Sequence, residues 1–217
     1  RWDGASQLAE GNKWAFFPSA ALGWRLDQEE FLKDVTWLNQ LKFRLGVGVT
    51  GNSAIDPYQT KGAIVSLYYP FGATLAPGYA ASEPLIKDGA VAMANKDLSW
   101  EKTTQYNIGL DYSVLNGRIS GVLDFYTSRT TDLLMAMTIP SLNGYTNTYA
   151  NVGKTSNIGV DITLNTVNIK TRDFEWSTSI NAAWQKDKID ELANGKEDDI
   201  NNNWFIGQAL GVICLLY

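Results

Sequence analysis

The sequence contains no histidine and a single cysteine, Cys214, among its 217 residues. One cysteine cannot form a disulfide within the chain, and a Cys/His metal site or a histidine-based catalytic triad cannot be built. Acid–base catalysis by histidine is excluded for the same reason. These absences leave carboxylates as the candidates for catalysis and metal binding. From the sequence as a whole we predict no catalytic residue, no metal ligand and no cofactor site, and we do not expect the chain to be an enzyme.

A concentrated basic patch and a long apolar run are also missing. The 18 Lys and Arg residues are scattered, and with 23 Asp and Glu the net charge is -5. Because phosphate backbones bind clustered positive charge, nucleic acid is not an expected partner. No stretch reaches the roughly 20 apolar residues of a transmembrane helix. The nearest, residues 62–81, is interrupted by Pro70, Pro77 and glycines, so we predict a long loop there.

Neither end of the chain carries a processing signal. The sequence opens on RWDG, without an initiator methionine or the charged and apolar segments of a signal peptide, and it ends on CLLY. We therefore expect a fragment of a longer protein.

Six segments alternate apolar and polar side chains with the period of two that marks β-strands. They are residues 17–26, 41–50, 100–114, 118–130, 152–169 and 174–186. Several sustain about nine or more alternating positions, the length that a tilted strand needs to cross a bilayer, whereas globular strands average about 5–6 residues. The polar faces carry Asn, Asp, Gln, Gly, Ser and Thr rather than a Lys/Glu mixture, which favours a wet interior over an ordinary solvated surface. Between the first two strands, residues 27–34 begin on a capping Asp27 with acids in the first turn, which predicts a short helix.

The connections between these segments alternate between short and long. Asn116-Gly117 is a strong hairpin signal, and residues 170–173 form a second short turn. In contrast, about 50 residues separate the second and third strands and about 20 separate the fourth and fifth, which is rare in a compact soluble domain. The stretch NIGLD at 107–111 also recurs as NIGVD at 157–161, so hairpins repeat. Short turns at one end and long loops at the other are typical of an outer-membrane barrel. A soluble antiparallel β-sandwich that serves as a carbohydrate-binding module is the alternative that alternation alone leaves open.

Longer phrases of the sequence resemble the SusC/RagA family of TonB-dependent outer-membrane transporters of Bacteroidetes. They are LAEGNKWAFFPSAALGWRL, LKFRLGVGVTGNSAIDPY, NKDLSWEKTTQYNIGLDYSVLNGRISGVLDFYTSRTTDLL, IPSLNGYTNTYANVGKTSNIGVDITLN and NWFIGQALGVI. The resemblance extends over nearly the whole chain, from about residue 1 to residue 213.

The resemblance implies an all-β fold, with about six strands of an antiparallel transmembrane barrel of about 22 strands. Residues 1–217 would be part of the barrel domain, without the plug domain and the remaining strands. The family imports glycans or peptides across the bacterial outer membrane, driven through TonB and assisted by a SusD-like surface lipoprotein. The short turns at 116–117 and 170–173 would be periplasmic, and the loops 51–99, 131–151 and 187 onward extracellular. Because six strands leave two open edges, we expect that this chain alone cannot transport.

Several residue groups have both a functional and a structural interpretation. The candidate ligand platforms are loop aromatics that could stack on sugar rings or pack within their own loops: Tyr68, Tyr69, Phe71, Tyr79, Tyr145 and Tyr149. Asp111 and Asp161 occupy equivalent places in the repeat and could be a pair of hydrolytic carboxylates, but we favour plain lumen-facing residues. Residues 196–203, KEDDINNN, carry enough side-chain oxygens to bind calcium, but they lack the spacing of an EF-hand. We therefore favour a solvated loop at this segment. Interface anchoring is the expected role of Trp24, Trp100, Trp176 and Trp184.

Overall fold

The computed structural model describes residues 1–57, 59–61, 63–83, 92–140, 142, 147–200 and 203–210. These residues form an all-β fold, as predicted. The strands are β1 (Trp2–Gly4), β2 (Trp14–Phe16), β3 (Ser19–Arg25), β4 (Leu38–Asn52), β5 (Ala63–Phe71), β6 (Thr74–Glu83), β7 (Ala92–Met93), β8 (Glu101–Val114), β9 (Ile119–Thr131), β10 (Leu134–Thr138), β11 (Asn147–Asn151), β12 (Lys154–Lys170) and β13 (Glu175–Glu191). Over the described ranges, no helix is long and apolar enough to cross a membrane.

One antiparallel sheet of six strands dominates the structure, in the order β13-β12-β9-β8-β4-β3. These six strands are the six alternating segments of the sequence, and each lies beside its predecessor. Two of them, β4 and β13, are longer than the predicted segments, and β12 and β13 reach 17 residues each. The strands are therefore far longer than the average globular strand.

The two ends of the sheet differ, as the alternation of connection lengths predicts. At one end, here called the turn end, residues 115–118 join β8 to β9 and residues 171–174 join β12 to β13. The Arg118 N–H donates to the Leu115 carbonyl at 3.2 Å, and the central Asn116 and Gly117 have φ of 55° and 78°. Leu115 also has φ of 55°, so three consecutive residues have positive φ. Positive φ at both central positions matches the right-handed twist of a hairpin and explains the Asn-Gly pair. The opposite end, the loop end, carries the insertions that contain β5–β7 and β10–β11.

The repeated pentapeptide is staggered across the sheet. Asn107 of β8 pairs with Tyr126 of β9, and Tyr126 pairs with Gly159 of β12, two residues beyond Asn157. Equivalent positions of β8 and β12 are therefore displaced by two residues along the strands. A progressive stagger of this kind is required when tilted strands close into a barrel.

The helix predicted for residues 27–34 is wrong: the structure has only one 3₁₀ turn, Leu26–Gln28. Asp27 does not cap a helix, because its carboxylate accepts hydrogen bonds from Arg25 Nε at 2.9 Å and from the Leu41 N–H at 3.1 Å. The hydrogen bond from Arg25 holds the pKa of the Asp27 carboxyl well below its usual range, although partial burial opposes the shift. The side chain thus ties the connection to β4 instead of starting a helix.

The long loop predicted for residues 62–81 is also wrong, because β5 and β6 form a hairpin there. Phe71 pairs with Thr74 around a two-residue turn, and Gly72 at its first central position has φ of 63°. Glycine at that position is what a tight hairpin of this kind requires. Pro70 and Pro77 do not prevent pairing, since both strands of an isolated hairpin are edge strands with one unpaired side.

A small buried cluster lies at the loop end, and it is the main water-excluding core of the described residues. Its members are Ala5, Leu8, Phe17, Leu98 and Trp100, all 8% exposed or less. The Phe17 and Trp100 rings meet edge to face at 5.2 Å, and Trp100 Nε1 donates to the Lys13 carbonyl at 3.1 Å. Interface anchoring by Trp100 is therefore wrong: this indole packs against the loops, a contact that alternation along one strand does not reveal.

Candidate functional site

The cross-strand register collects the apolar residues of all six strands on one side of the sheet, here called the apolar face. One complete row of neighbours consists of Leu22, Leu45, Ile108, Phe125, Val160 and Trp184. The adjacent row consists of Trp24, Phe43, Leu110, Leu123, Ile162 and Ala182. The alternation seen along each strand is therefore also in phase between strands, which produces a continuous surface rather than isolated apolar side chains.

The apolar face is exposed. Leu22 is 63% exposed, Ile108 46% and Trp184 57%. Exposed apolar patches larger than a few hundred Å² are rare on soluble monomers and mark surfaces that contact another protein or lipid. No second sheet covers this face in the described part of the chain. The face therefore needs an apolar environment from outside the chain.

The opposite side, here called the polar face, carries a charged group in the middle of the sheet. Arg44 Nε donates to Asp111 at 2.9 Å, and Arg44 Nη2 donates to Asp124 at 2.9 Å. Each of the three side chains is less than a third exposed. One guanidinium thereby connects β4, β8 and β9, and its five N–H donors suit this shared role better than a lysine would.

Gly109 leaves the space for this guanidinium. It lies between Arg44 and Asp124 in the same row of cross-strand neighbours. A Cβ at this position would come within 2.6 Å of Arg44 Cζ and 2.5 Å of Asp124 Oδ1. Sterics thus explain the glycine at position 109 of the first repeat, because any side chain there would displace the bridging Arg44.

The two repeat carboxylates do not form a matched pair. Asp111 binds Arg44, whereas Asp161 lies one row away, directly across from Asp124. The arrangement gives Asp111 a structural partner, and it supplies no geometry for a pair of carboxylates flanking a glycosidic bond. Sequence reasoning missed the bridging role of Arg44, because its partners are 67 and 80 residues away along the chain.

Among the six predicted loop aromatics, the structure describes the side chain of Tyr149 only. Tyr149 packs against the buried cluster, and its carbonyl accepts a hydrogen bond from Asn95 Nδ2 at 2.8 Å. The backbones of four others lie on the β5–β6 hairpin, but their side chains lie outside the described part of the structure: Tyr68, Tyr69, Phe71 and Tyr79. Tyr145 lies outside the described residues altogether.

The oxygen-rich segment at 196–203 is tied into its own loop where it is described. Asp198 Oδ1 accepts the Ile206 N–H at 2.7 Å, and Asp199 and Trp204 exchange backbone hydrogen bonds. Residues 201 and 202 lie outside the described residues. Within the ranges that are described, no group of three or more Asp, Glu or Cys side chains is placed to hold a metal ion.

The remaining predicted interface tryptophans lie on the sheet and are exposed. Trp24 is 47% exposed, Trp176 53% and Trp184 57%. The Trp24 indole donates to Glu29 Oε1 at 2.7 Å, just beyond the end of β3. An apolar ring with a hydrogen-bonded polar edge near a strand end suits a membrane–water boundary, so anchoring stays the prediction for these three.

A single antiparallel sheet of long strands, apolar and exposed on one face and polar on the other, is typical of the wall of a transmembrane β-barrel. Comparison with known proteins agrees with this class. Residues 1–210 match the family described as TonB dependent receptor-like, beta-barrel, and the chain belongs to that family.

Individual relatives place the chain near SusC and RagA, as the sequence phrases predict. The chain is 41% identical to the TonB-dependent receptor SusC of Bacteroides thetaiotaomicron, over 92% of this chain and 19% of that protein. It is 35% identical to the TonB-dependent receptor P3 of Formosa agariphila, over 97% of this chain and 20% of that protein. The solved structure of the RagAB peptide importer in its open-open state superimposes with a TM-score of 0.80 at 29% identity, covering 94% of this chain and 21% of that one. The chain thus spans about a fifth of the length of its relatives.

Proposed function

We propose that this chain is part of a TonB-dependent importer of the bacterial outer membrane, to which it contributes barrel wall and extracellular loops. The observation that carries the proposal is the complete row from Leu22 to Trp184, which is apolar on every one of the six strands and largely exposed. In an outer-membrane barrel this row faces lipid, and the polar face with Arg44 faces a plugged or water-filled lumen.

The orientation follows from the connections. Outer-membrane barrels have short periplasmic turns and longer extracellular loops. The turn end, with residues 115–118 and 171–174, is therefore periplasmic, and the loop end, with the β5–β6 hairpin and the buried cluster, is extracellular. Strands β8 and β12 run towards the periplasm, and β9 and β13 run back.

The substrates and partners that we propose come from the relatives. A matching solved structure is named a peptide importer, and the curated relatives are named TonB-dependent receptors. We infer that the imported ligand is a glycan or a peptide, that TonB supplies the energy, and that a SusD-like surface lipoprotein covers the extracellular side. Within this assembly, the aromatic residues of the β5–β6 hairpin, Tyr145 and Tyr149 are candidates for ligand contact.

The alternative fold, a soluble β-sandwich, requires a second sheet over the apolar face, and the observed exposure does not support this. A sandwich buries the apolar face of each sheet against the other sheet, at a separation of about 10 Å. Here the apolar face carries exposed Leu45, Ile108 and Ile162. An open face of this kind favours the membrane wall over the binding module.

Uptake in cells tests the proposed function. The complete barrel that contains these strands is expressed in the outer membrane of a strain without its own importer, and entry of a labelled oligosaccharide and a labelled oligopeptide is measured with and without TonB. We expect TonB-dependent entry of one of the two ligands. Entry that is the same without TonB, or recovery of the protein as a water-soluble monomer, would contradict the proposal.

A matched pair of variants shows whether these strands form the wall. Leu123→Arg places a charge on the apolar face, whereas Val122→Arg places it on the polar face, opposite Asp111 and Thr163. We expect Leu123→Arg to abolish correct assembly and uptake, and Val122→Arg to leave assembly intact. Equal assembly of both variants would show that the two faces are not lipid and lumen.

A further inference from the structure

The apolar face changes from apolar to cationic towards the loop end. The last largely apolar row contains Tyr106, Thr127, Ile158 and Lys186. The next row contains Thr104, Arg129, Ser156 and Lys188, and the row after it contains Lys102, Thr131, Lys154 and Glu191. Five cations therefore occupy the same side of four adjacent strands: Lys186 in the last largely apolar row and four more in the two rows beyond it.

Most of this positive charge is not neutralised locally. Lys188 pairs with Asp190 at 3.0 Å, and Lys154 pairs with Glu191 at 2.6 Å. Among the described residues, Lys102, Arg129 and Lys186 form no ion pair. Five cations against two carboxylates leave the group with a net charge of +3, whereas the whole chain carries -5. Cations that are scattered along the sequence are thus brought together by the strand register into one positive surface, contrary to the expectation that the chain has no basic patch.

The group also has a shape that admits a ligand. A cleft of about 430 Å³ lies at this point of the sheet, and three cations, Arg129, Lys188 and Lys196, line it together with two carboxylates, Asp190 and Glu191. Because neighbouring strands lie about 4.8 Å apart, Arg129 and Lys188, two strands apart, reach across roughly 10 Å. Two long cationic side chains at this spacing suit phosphate oxygens.

We propose that this surface binds the phosphorylated headgroups of lipids in the outer leaflet. The choice of lipid over a soluble anion rests on continuity, because the cations stand directly above exposed Tyr106 and Ile158, where acyl chains would lie. Cations at the height of the headgroups attract anionic lipids, and this attraction becomes weaker with distance from the membrane surface. The inference rests on the proposed function, since it needs the apolar face in lipid and the loop end outside.

Lipid binding by the complete barrel in non-ionic detergent tests the inference. The probe is bisphosphorylated lipid A, titrated in mixed micelles and counted by native mass spectrometry, with dephosphorylated lipid A and inorganic phosphate as comparison ligands. The variant Lys102→Gln/Arg129→Gln/Lys186→Gln removes three cations that form no ion pair. The control Lys13→Gln/Lys61→Gln/Lys96→Gln removes the same charge from exposed loop-end lysines away from these rows.

We expect saturable binding of the phosphorylated lipid that the first variant weakens on the order of 100-fold, since each cation near an anionic lipid surface contributes about fivefold. The control variant and wild type should bind alike, and dephosphorylated lipid should bind weakly to both. Equal losses in the two variants, unchanged binding in the first, or displacement by inorganic phosphate at equal concentration would overturn the inference. Incorporation into lipid nanodiscs is measured on the same samples: incorporation without phosphate-dependent binding rejects this inference alone, whereas failure to incorporate also rejects the proposed membrane wall.

Discussion

The middle of the six-stranded sheet and the cluster at its loop end use the same kinds of residue in opposite ways. On the sheet, Leu22, Ile108 and Trp184 stay 46–63% exposed, whereas Leu8, Leu98 and Trp100 in the cluster are 8% exposed or less. The cluster excludes water by packing side chains against each other. The apolar face of the sheet is not covered by any other described part of the chain, as expected for the lipid-facing barrel wall that we propose.

This difference explains why the described residues contain few buried apolar side chains for their number. Removing apolar surface from water contributes roughly 25 cal/mol per Å², and a soluble sheet must gain it from a second layer. The described strands have no such layer, so their internal stability comes from the hydrogen-bonded ladder and from cross-strand contacts. The comparison therefore predicts different responses to the same kind of substitution in the two regions.

The largest effect is expected in the cluster. Leu98→Ala removes a side chain that is fully buried and should lower the free energy of unfolding by about 2–5 kcal/mol, because the cavity cannot collapse completely. Leu142→Ala is the matched control, since Leu142 is 94% exposed and should change stability by less than about 0.5 kcal/mol. Urea unfolding of the complete barrel in vesicles measures both. Similar losses in the two variants would mean that the cluster is not a packed core.

On the sheet, charge rather than size should decide the outcome. Leu123→Arg at the middle of the apolar face should cost about 2–4 kcal/mol in a bilayer, whereas Val122→Arg on the polar face should cost much less. The same unfolding measurement in vesicles compares them. If Val122→Arg proved the more harmful change, the two faces would have to be exchanged.

The charged group on the polar face should show a smaller effect. Arg44→Met leaves Asp111 and Asp124 near each other without their shared donor, and should cost about 1–3 kcal/mol. Adding Asp111→Asn should recover part of the loss, since it removes the repulsion between the carboxylates. A double-mutant cycle measures this coupling, and strictly additive losses would show that the three side chains do not act together.

The smallest effect is expected at the connection between β3 and β4, and it depends on pH. Because the hydrogen bond from Arg25 lowers the folded-state pKa of Asp27, its contribution to stability is complete above the unfolded-state pKa of about 4 and is lost as pH falls through the lower folded-state value. Asp27→Asn should therefore flatten the acid limb of the stability profile below about pH 4, relative to the exposed control Asp34→Asn. Parallel acid limbs in the two variants would contradict this role.

Prediction from the sequence succeeded where one strand contains the whole signal. The alternation of Tyr106, Ile108 and Leu110 depends only on local spacing, and so does the Asn116-Gly117 turn, so both were visible without the fold. The β5–β6 hairpin had a local signal too, the Gly72 position of a two-residue turn, but Pro70 and Pro77 concealed it. A proline interrupts strand pairing only where its strand is hydrogen-bonded to neighbours on both sides.

Other features depend on contacts between distant segments and could not be predicted in this way. Whether Trp100 anchors at an interface or packs into a cluster is decided by Phe17, which is far away in sequence. The Arg44 bridge and the cationic rows beyond the apolar face appear only when the register of neighbouring strands is known. Asp27 resembled a helix cap, yet it is held by Arg25 and the Leu41 backbone.

The central claim, that one face of the sheet meets lipid and the other does not, is tested most directly by spin-label accessibility along β12. With Cys214 replaced by serine, single cysteines at positions 157, 158 and 160 to 165 in the complete barrel are labelled with a nitroxide in vesicles, and collisions with oxygen and with a water-soluble nickel complex are measured. The account predicts a period of two, with Ile158, Val160, Ile162 and Leu164 favouring oxygen and Asn157, Asp161, Thr163 and Asn165 favouring nickel or neither. Uniform contact with the nickel complex, or high oxygen contact on the polar set, would contradict it.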